Sequence, residues 1–320
     1  MAAASTINDD PPNDDPPTMI RLAVMAPFSS PEAVVAGPLL EAARHSAYEA
    51  GRALGVDVEV AAVDDHRDAT LARVAFDELL RAGQVDGVIG PKNSGTALAV
   101  ARSATDARIP LLLPCATADE LTSFDTVFRM CATDAHTVRA ATRLFVRLGV
   151  NRIAVIEDDT PYGRNLATGV RAAATRGGLQ VVGDFSRADA AFFAMGEVEQ
   201  ADQLRAARSG GFEGITVGAE GGPNAPLPAL AGPSAEGHWL LYAGAPAGTG
   251  TVYAAEAADA ATALVLACAC AVDRPARLAA LRATSFDGRS GRVEFDERGE
   301  RVGINVSVYR VIEGAARLTD

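Results

Sequence analysis

The amino-acid sequence predicts an α/β protein of two doubly wound lobes, and three observations carry that expectation. From Ile20 onward, short apolar runs alternate with alanine-rich stretches of helical composition, which is the order of a parallel sheet with crossover helices. The stretch Gly87 to Thr122 holds a complete βαβ unit, with apolar strands at Val88–Gly90 and Leu111–Leu113 bounded by Gly and Pro. After a further short strand near Val127–Met130 the alternation restarts, so a second lobe follows the first.

The first lobe reads as a strand at Ile20–Ala26, a helix near Val35–Leu54, a strand at Val56–Val63, a helix near Thr70–Ala82 and then the βαβ unit. Parallel strands end at one edge, so Ser94 and Thr117, each opening the segment after a strand, fall at the carboxyl edge. Open α/β sheets bind ligands there, and helix N-termini offer unpaired N–H groups to an anion. The second lobe reads as a helix to Leu148, a strand at Arg152–Asp158, a helix from Arg164 and a strand at Gly178–Phe185. Strands at Ala190–Gly196, Gly214–Glu220 and His238–Gly244 follow, with a helix at Glu199–Arg208 between the first two. A long helix at Val252–Cys270 precedes a hairpin around Asp296–Gly299 and one final strand. Two connections look too short for a crossover helix: the one between Phe185 and Ala190, and the one after Gly244. The first predicts either an antiparallel pair or one strand fewer, and hence a reduced second lobe.

Composition narrows the function. At 320 residues and 48% hydrophobic content, the chain is long enough for two lobes with cores of their own. A net charge of −12 argues against nucleic acid or an anionic membrane as the main partner and leaves a small ligand favoured. The longest apolar run, Ala257–Val272, is short, alanine-rich and interrupted by Asp259, so it reads as a buried helix rather than a membrane span. Residues 1–18 combine acids with paired prolines and lack an apolar core, which predicts a disordered tail and no export signal. Cys115, Cys131, Cys268 and Cys270 match neither a zinc site nor a disulfide framework and read as reduced packing residues. His45, His66, His136 and His238 are scattered without metal-ligand spacing, so neither a metal nor a cofactor is expected.

Seven segments, in this order, carry a resemblance: VIGPKNSGTALA, IPLLLPCATADELT, VFRMCATD, RIAVIEDDTPYGRNLA, VGAEGGPN, AEGHWLLY and SFDGRSGRVEFDERGERV. Together they resemble the type I periplasmic-binding-protein fold, and in detail the leucine/isoleucine/valine-binding family of branched-chain amino acid receptors, over about Ile20 to Glu313. The resemblance implies two Rossmann-like lobes joined by three hinge crossings, near Cys131–His136, Tyr242–Ala247 and Glu300–Asn305. The lobes would comprise 19–132 with 247–302, and 133–246 with 303–320. It implies non-catalytic binding of an amino acid or related carboxylate in the cleft, on behalf of an ABC transporter and its permease. Family members act outside the cytoplasm; the missing export signal leaves a cytoplasmic location open.

Site residues follow from the resemblance one at a time. Ser94 and Thr117 match the hydroxyls that bind the ligand carboxylate; from the residues alone, Ser94 reads equally as a helix N-cap, and Thr117 with Glu120 as a capping box. Cys115 and Ala116 lie in the same loop, Cys115 matching a residue whose carbonyl approaches the ligand ammonium. Glu220 matches the acid that pairs with that ammonium, where a solvated loop carboxylate is the bland alternative. Tyr162 and Tyr253 match the aromatic walls, although a Pro-Tyr-Gly sequence is also a common turn. Val35 and Gly196 or Glu197 stand where relatives carry ligand-packing tyrosines, so the side-chain pocket should differ in shape.

Two other readings stay open. One keeps the fold in a cytoplasmic ligand-sensing or accessory role. The other is a nucleotide-dependent enzyme, resting on the Gly-rich run Gly244 to Gly250 between a strand and a helix.

Overall fold

The computed structural model describes residues 19–83, 85–246 and 251–319, so the 1–18 tail lies outside the described residues. Strand β1 (Met19–Ala26) starts a five-stranded parallel sheet with β2 (Asp57–Asp64), β3 (Gly87–Ile89), β4 (Leu111–Leu113) and β5 (Val127–Arg129), in the order β2-β1-β3-β4-β5. Helices α1 (Ala33–Leu54), α2 (Ala69–Arg81) and α3 (Ser94–Ala107) supply its crossovers. Each end has a local cause. Helix α1 stops at Gly55, whose φ of 71° is a left-handed C-cap, and α2 starts where the Asp68 carboxylate accepts from the N–H groups of Thr70 and Leu71.

The second sheet has seven strands in the order β14-β13-β10-β9-β8-β6-β7. Its parallel part is β6 (Arg152–Glu157), β7 (Gln180–Val182), β8 (Ala190–Ala194), β9 (Ile215–Gly218) and β10 (Trp239–Tyr242). Helices α4 (Asp134–Arg147), α5 (Pro161–Arg176), α6 (Glu197–Ser209) and α7 (Leu227–Ala231) cover its two faces. An antiparallel hairpin of β13 (Ser307–Ile312) and β14 (Ala315–Leu318) extends it beyond β10.

The alanine-rich helix α8 (Ala254–Ala269) returns to the first sheet and lies along α1, where Ala43 and Ala47 meet a face of Ala257, Ala260 and Ala261 in one buried cluster. Its buried Asp259 accepts from the N–H groups of Arg289 and Ser290, which fixes the turn between β11 (Ser285–Gly288) and β12 (Gly291–Glu294). Among the described residues, no helix is long and apolar enough to cross a membrane.

Three expectations need correction. Strands β7 and β8 do not pair with each other: both lie parallel to β6, on opposite sides of it. The chain passes β6 with a single 3-10 turn at Phe185–Arg187, and Phe185 packs on Phe193 and Phe212 where a helix would otherwise sit. No predicted strand is missing from this part of the second sheet; the short connection simply holds no crossover helix. The predicted hairpin at Asp296–Gly299 is a tight turn closed by one bridge, Phe295 to Arg301; the paired ladder is β11–β12, one turn earlier. The single final strand is the β13–β14 hairpin, and helix α9 (Arg274–Arg282), capped by Asp273, was not expected.

The chain passes between the sheets three times: after β5, after β10, and before β13. These passages run side by side. Ala132 N–H donates to the Ala243 carbonyl at 2.6 Å, Arg301 Nη1 donates to the Met130 carbonyl at 3.2 Å, and the Tyr309 hydroxyl donates to the Pro246 carbonyl at 3.2 Å. Residues 247–250, where the second predicted crossing and the Gly-rich run end, lie outside the described residues.

Candidate functional site

A cavity of about 140 Å³ lies between the carboxyl edges of the two sheets, which is room for roughly ten water-sized positions. Its position follows from strand order. In the first sheet the order reverses between β1 and β3, in the second between β6 and β8, and the loops leaving those strands face each other across the cavity. Along the first edge the lining runs from Thr117 and Cys115 after β4, through Ser94, Asn93 and Lys92 after β3 and Glu32 after β1, to Arg67 after β2. The second edge supplies Glu220 after β9, Gly196 after β8, and Thr160 to Tyr162 after β6.

Ser94 is the first residue of α3 and not its cap; that position belongs to Asn93. The Asn93 side chain makes no cap bond, because its amide donates to the Glu32 carboxylate at 3.1 Å. The first N–H groups of α3 are thus left for something else. The Ser94 Oγ accepts from the N–H groups of Thr117 and Ala118, at 3.2 Å each. With its acceptor sites taken, its own O–H remains to be donated. Before this helix, Gly90 has φ of 103°, and a Cβ there would come 2.2 Å from the Met25 carbonyl oxygen, so only glycine brings β3 into this turn.

The loop that carries Thr117 is held from below. Arg129, fully buried, donates from Nη1 to the Ala116 carbonyl and from Nη2 to the Ala118 carbonyl, at 2.7 Å each, and pairs with Glu300 at 2.9 Å. The expected Thr117–Glu120 capping box does not form: a 3-10 turn at Asp119–Ser123 follows without a side-chain cap.

Across the cavity, protein closes round the Glu220 carboxyl, and burial pushes it up to about 7 against the opposing pull of Lys92. The Tyr162 hydroxyl lies beside it and donates to the Ala219 carbonyl at 3.5 Å. Tyr162 reaches this point because α5 starts early, with Thr160 as N-cap and Pro161 in the first turn.

Of the residues singled out in the sequence, Ser94, Cys115, Thr117, Tyr162 and Glu220 come together around this cavity. Ala116 lies behind it, its carbonyl turned to Arg129. Tyr253 does not line it either: it is buried, its ring 5.0 Å from that of Tyr242 and its N–H donating to the Tyr242 hydroxyl at 2.8 Å. Val35 is buried in the core, whereas Gly196 does line the cavity.

The lining also includes residues that were not anticipated, among them the charged and amide side chains of Glu32, Arg67, Lys92 and Asn93. Lys92 pairs with Glu32 at 2.9 Å, both of them buried. Arg67 reaches Glu32 at 3.0 Å and also touches Glu199 and, at 3.8 Å, Asp158, both from the second half. Asn93 completes the group. These partners stand far apart in the chain, so no local spacing announces them. The four cysteines are free thiols, burial pushes Cys131 above its ordinary value, and no cluster of metal-ligating residues occurs among the described residues.

This geometry can be set beside known proteins. A family model described as periplasmic binding protein matches residues 19–232, about two thirds of the chain. The chain belongs to that family. The Leu/Ile/Val-binding protein of Escherichia coli is 27% identical over 331 aligned positions, covering 91% of this chain and 90% of the relative. A leucine-binding protein from Thermotoga maritima superposes with a TM-score of 0.84 at 23% identity, covering 94% of this chain and 98% of that one. A solute-binding protein of an R. palustris ABC transporter, solved with 4-hydroxybenzoate, superposes with a TM-score of 0.81 at 17% identity, covering 94% of this chain and 95% of the other. The fold is accordingly that of the type I periplasmic binding proteins, and the protein is a solute-binding protein, not an enzyme.

Proposed function

We propose that this periplasmic binding protein holds an amino acid or closely related small carboxylate between two lobes, as the solute-binding component of an ABC transporter. One observation carries the reading. Donors from the first sheet, the Ser94 hydroxyl and the uncapped N–H groups at the start of α3, lie with Thr117 on one wall and face the Glu220 carboxyl of the second sheet across one small cavity. Donors on one wall suit a carboxylate and an acid on the other suits an ammonium, each through charge-assisted bonds. The relatives named above for leucine, isoleucine and valine bind such zwitterions, and the neighbour solved with 4-hydroxybenzoate shares the carboxylate alone.

The lobes in this reading are the two sheets with their helices, 19–132 with 251–302 and 133–246 with 303–319, and the three adjacent passages are the hinge. Closure then follows the ligand's differential affinity for the shut form. Delivery to a membrane permease is the remaining part of the proposal. Calorimetry and thermal shift against the common amino acids and simple carboxylates test the reading, and absence of binding by all of them would overturn it.

Two further results are expected. In Ser94→Ala the donated O–H is lost and the Thr117 and Ala118 N–H groups lose their acceptor, so affinity should fall by at least roughly tenfold. Titration calorimetry reads this directly.

The second concerns pH. Burial raises Glu220 to about 7, and the carboxylate form is the one that binds an ammonium. Affinity for a zwitterion should therefore fall as pH drops below that value, by up to about tenfold per pH unit, and level off above it. A bound ammonium favours the ionised acid, so binding at neutral pH should release protons, seen as a dependence of binding heat on buffer ionisation enthalpy.

A further inference from the structure

Part of the cavity wall is formed by Glu32, Arg67, Lys92, Asn93 and Gly196. An aliphatic ligand side chain placed there would strip water from charged groups and return no hydrogen bond. Glu32 is already well partnered: it accepts from Lys92 Nζ at 2.9 Å and from the Asn93 amide at 3.1 Å, and pairs with Arg67 Nε at 3.0 Å. The donors around it are not. The Lys92 ammonium has three N–H bonds and makes one hydrogen bond, and Arg67 Nη2 comes no nearer than 3.8 Å to Asp158.

Acceptors here are equally unmet: Glu199 Oε2, Asp158 Oδ2 and, on the cavity lining itself, Asn93 Oδ1 are buried and have no hydrogen-bond partner. The Asn93 orientation is fixed, because exchanging the amide atoms would turn the oxygen toward the Glu32 carboxylate. Gly196 keeps the opposite side open, since a Cβ there would come 3.0 Å from Glu199 and 3.4 Å from Glu32.

Charge limits what fits. Lys92 and Arg67 stand with Glu32, Glu199 and Asp158, and Lys92 also faces Glu220, so carboxylates already outnumber the two cations here. A ligand carboxylate would add to that excess, and a ligand ammonium would offer nothing to Lys92 and Arg67. Building on the amino acid reading above, we propose that this wall selects an amino acid with a neutral carboxamide side chain, whose oxygen accepts from Lys92 and Arg67 while its amide donates to Asn93 Oδ1. Sites built to hydrogen-bond a polar group discriminate strongly against analogues lacking it.

Asparagine, leucine and aspartate are near-isosteres, with glutamine and lysine as longer counterparts, and titration calorimetry of the five against the full chain is the test. Asparagine or glutamine should bind at least roughly tenfold tighter than leucine, aspartate and lysine. If leucine, aspartate or lysine binds as tightly or more tightly, the inference is wrong while the amino acid reading stands. If none of the five binds, this inference is wrong, and the amino acid reading falls with it only when the wider screen of amino acids and simple carboxylates is empty as well.

A second arm uses the Glu32→Leu/Lys92→Met double variant. Removing both partners of the buried Glu32–Lys92 pair leaves neither charge without the other, and Arg67 keeps Glu199 and Asp158, so the variant is compatible with folding. The double variant should prefer leucine to asparagine, and an unchanged order of affinities would overturn the assignment of this wall. Thermal unfolding confirms that the variant is folded. Should it fail to fold, the five-ligand comparison on the unaltered chain decides alone.

Discussion

Glu220→Gln should cost an amino acid ligand roughly thirty- to several-thousand-fold in affinity, the equivalent of about 2–5 kcal/mol for breaking a desolvated charge pair. The substitution keeps the shape of the side chain beside Tyr162 and removes only the charge that faces the donors of α3. Stability should move the other way. Burial raises the Glu220 carboxyl from 4.5 to about 7, so the folded state holds the proton more tightly than the unfolded chain does. The stabilisation this gives is complete at acid pH and is lost as pH rises through 7, where the ionised group works against folding. At pH 8 the glutamine variant should melt no lower than the parent, and differential scanning calorimetry with ligand titration separates the two effects. Unaltered affinity would remove Glu220 from the site.

Arg129→Leu should be the most destabilising single change near the cavity. The guanidinium is fully buried and donates to the carbonyls of Ala116 and Ala118 and to Glu300. Leucine would leave two buried carbonyls and a partly buried carboxylate without their donor, at a cost of about 3–5 kcal/mol. That corresponds to a fall in melting temperature of roughly 4–8 °C for a chain of this size. Because the same carbonyls fix the loop bearing Thr117, ligand affinity should weaken together with stability. A melting temperature within a degree of the parent would show that the loop is held by something other than Arg129.

The sequence was informative wherever chemistry was local. Strand positions, the crossover helices and the placing of Ser94 and Thr117 at one edge all follow from runs of apolar residues ended by Gly, Pro, Ser or Thr. Glu220 and Tyr162 were singled out through the family resemblance; from the residues alone they read as loop positions beyond strands. What the sequence hid was pairing at a distance. Nothing in the loop around Glu32 indicates that its carboxylate meets Lys92 and Arg67, and the partners of Arg67 lie in the other half of the chain. The passage from β7 to β8 was misjudged for a related reason: loop length limits a connection only when the two strands it joins are known, and β6 had slipped between them. Tyr253 was placed by its neighbours in the sequence, but a φ of 60° at the head of α8 and the Tyr242 hydroxyl draw it into the core.

The position of Arg67 bears on how quickly solute exchanges. Its guanidinium spans the gap, rooted beside Glu32 on one side and clasping Glu199 and Asp158 on the other. A molecule entering the site has little of the docking left to organise, which favours tight capture. A molecule leaving must first have that clasp undone, and dissolved ions, which compete for the same charges, would loosen it. Residence time at the proposed site is then expected to shorten as ionic strength rises, through a side chain that grips both walls of the cavity.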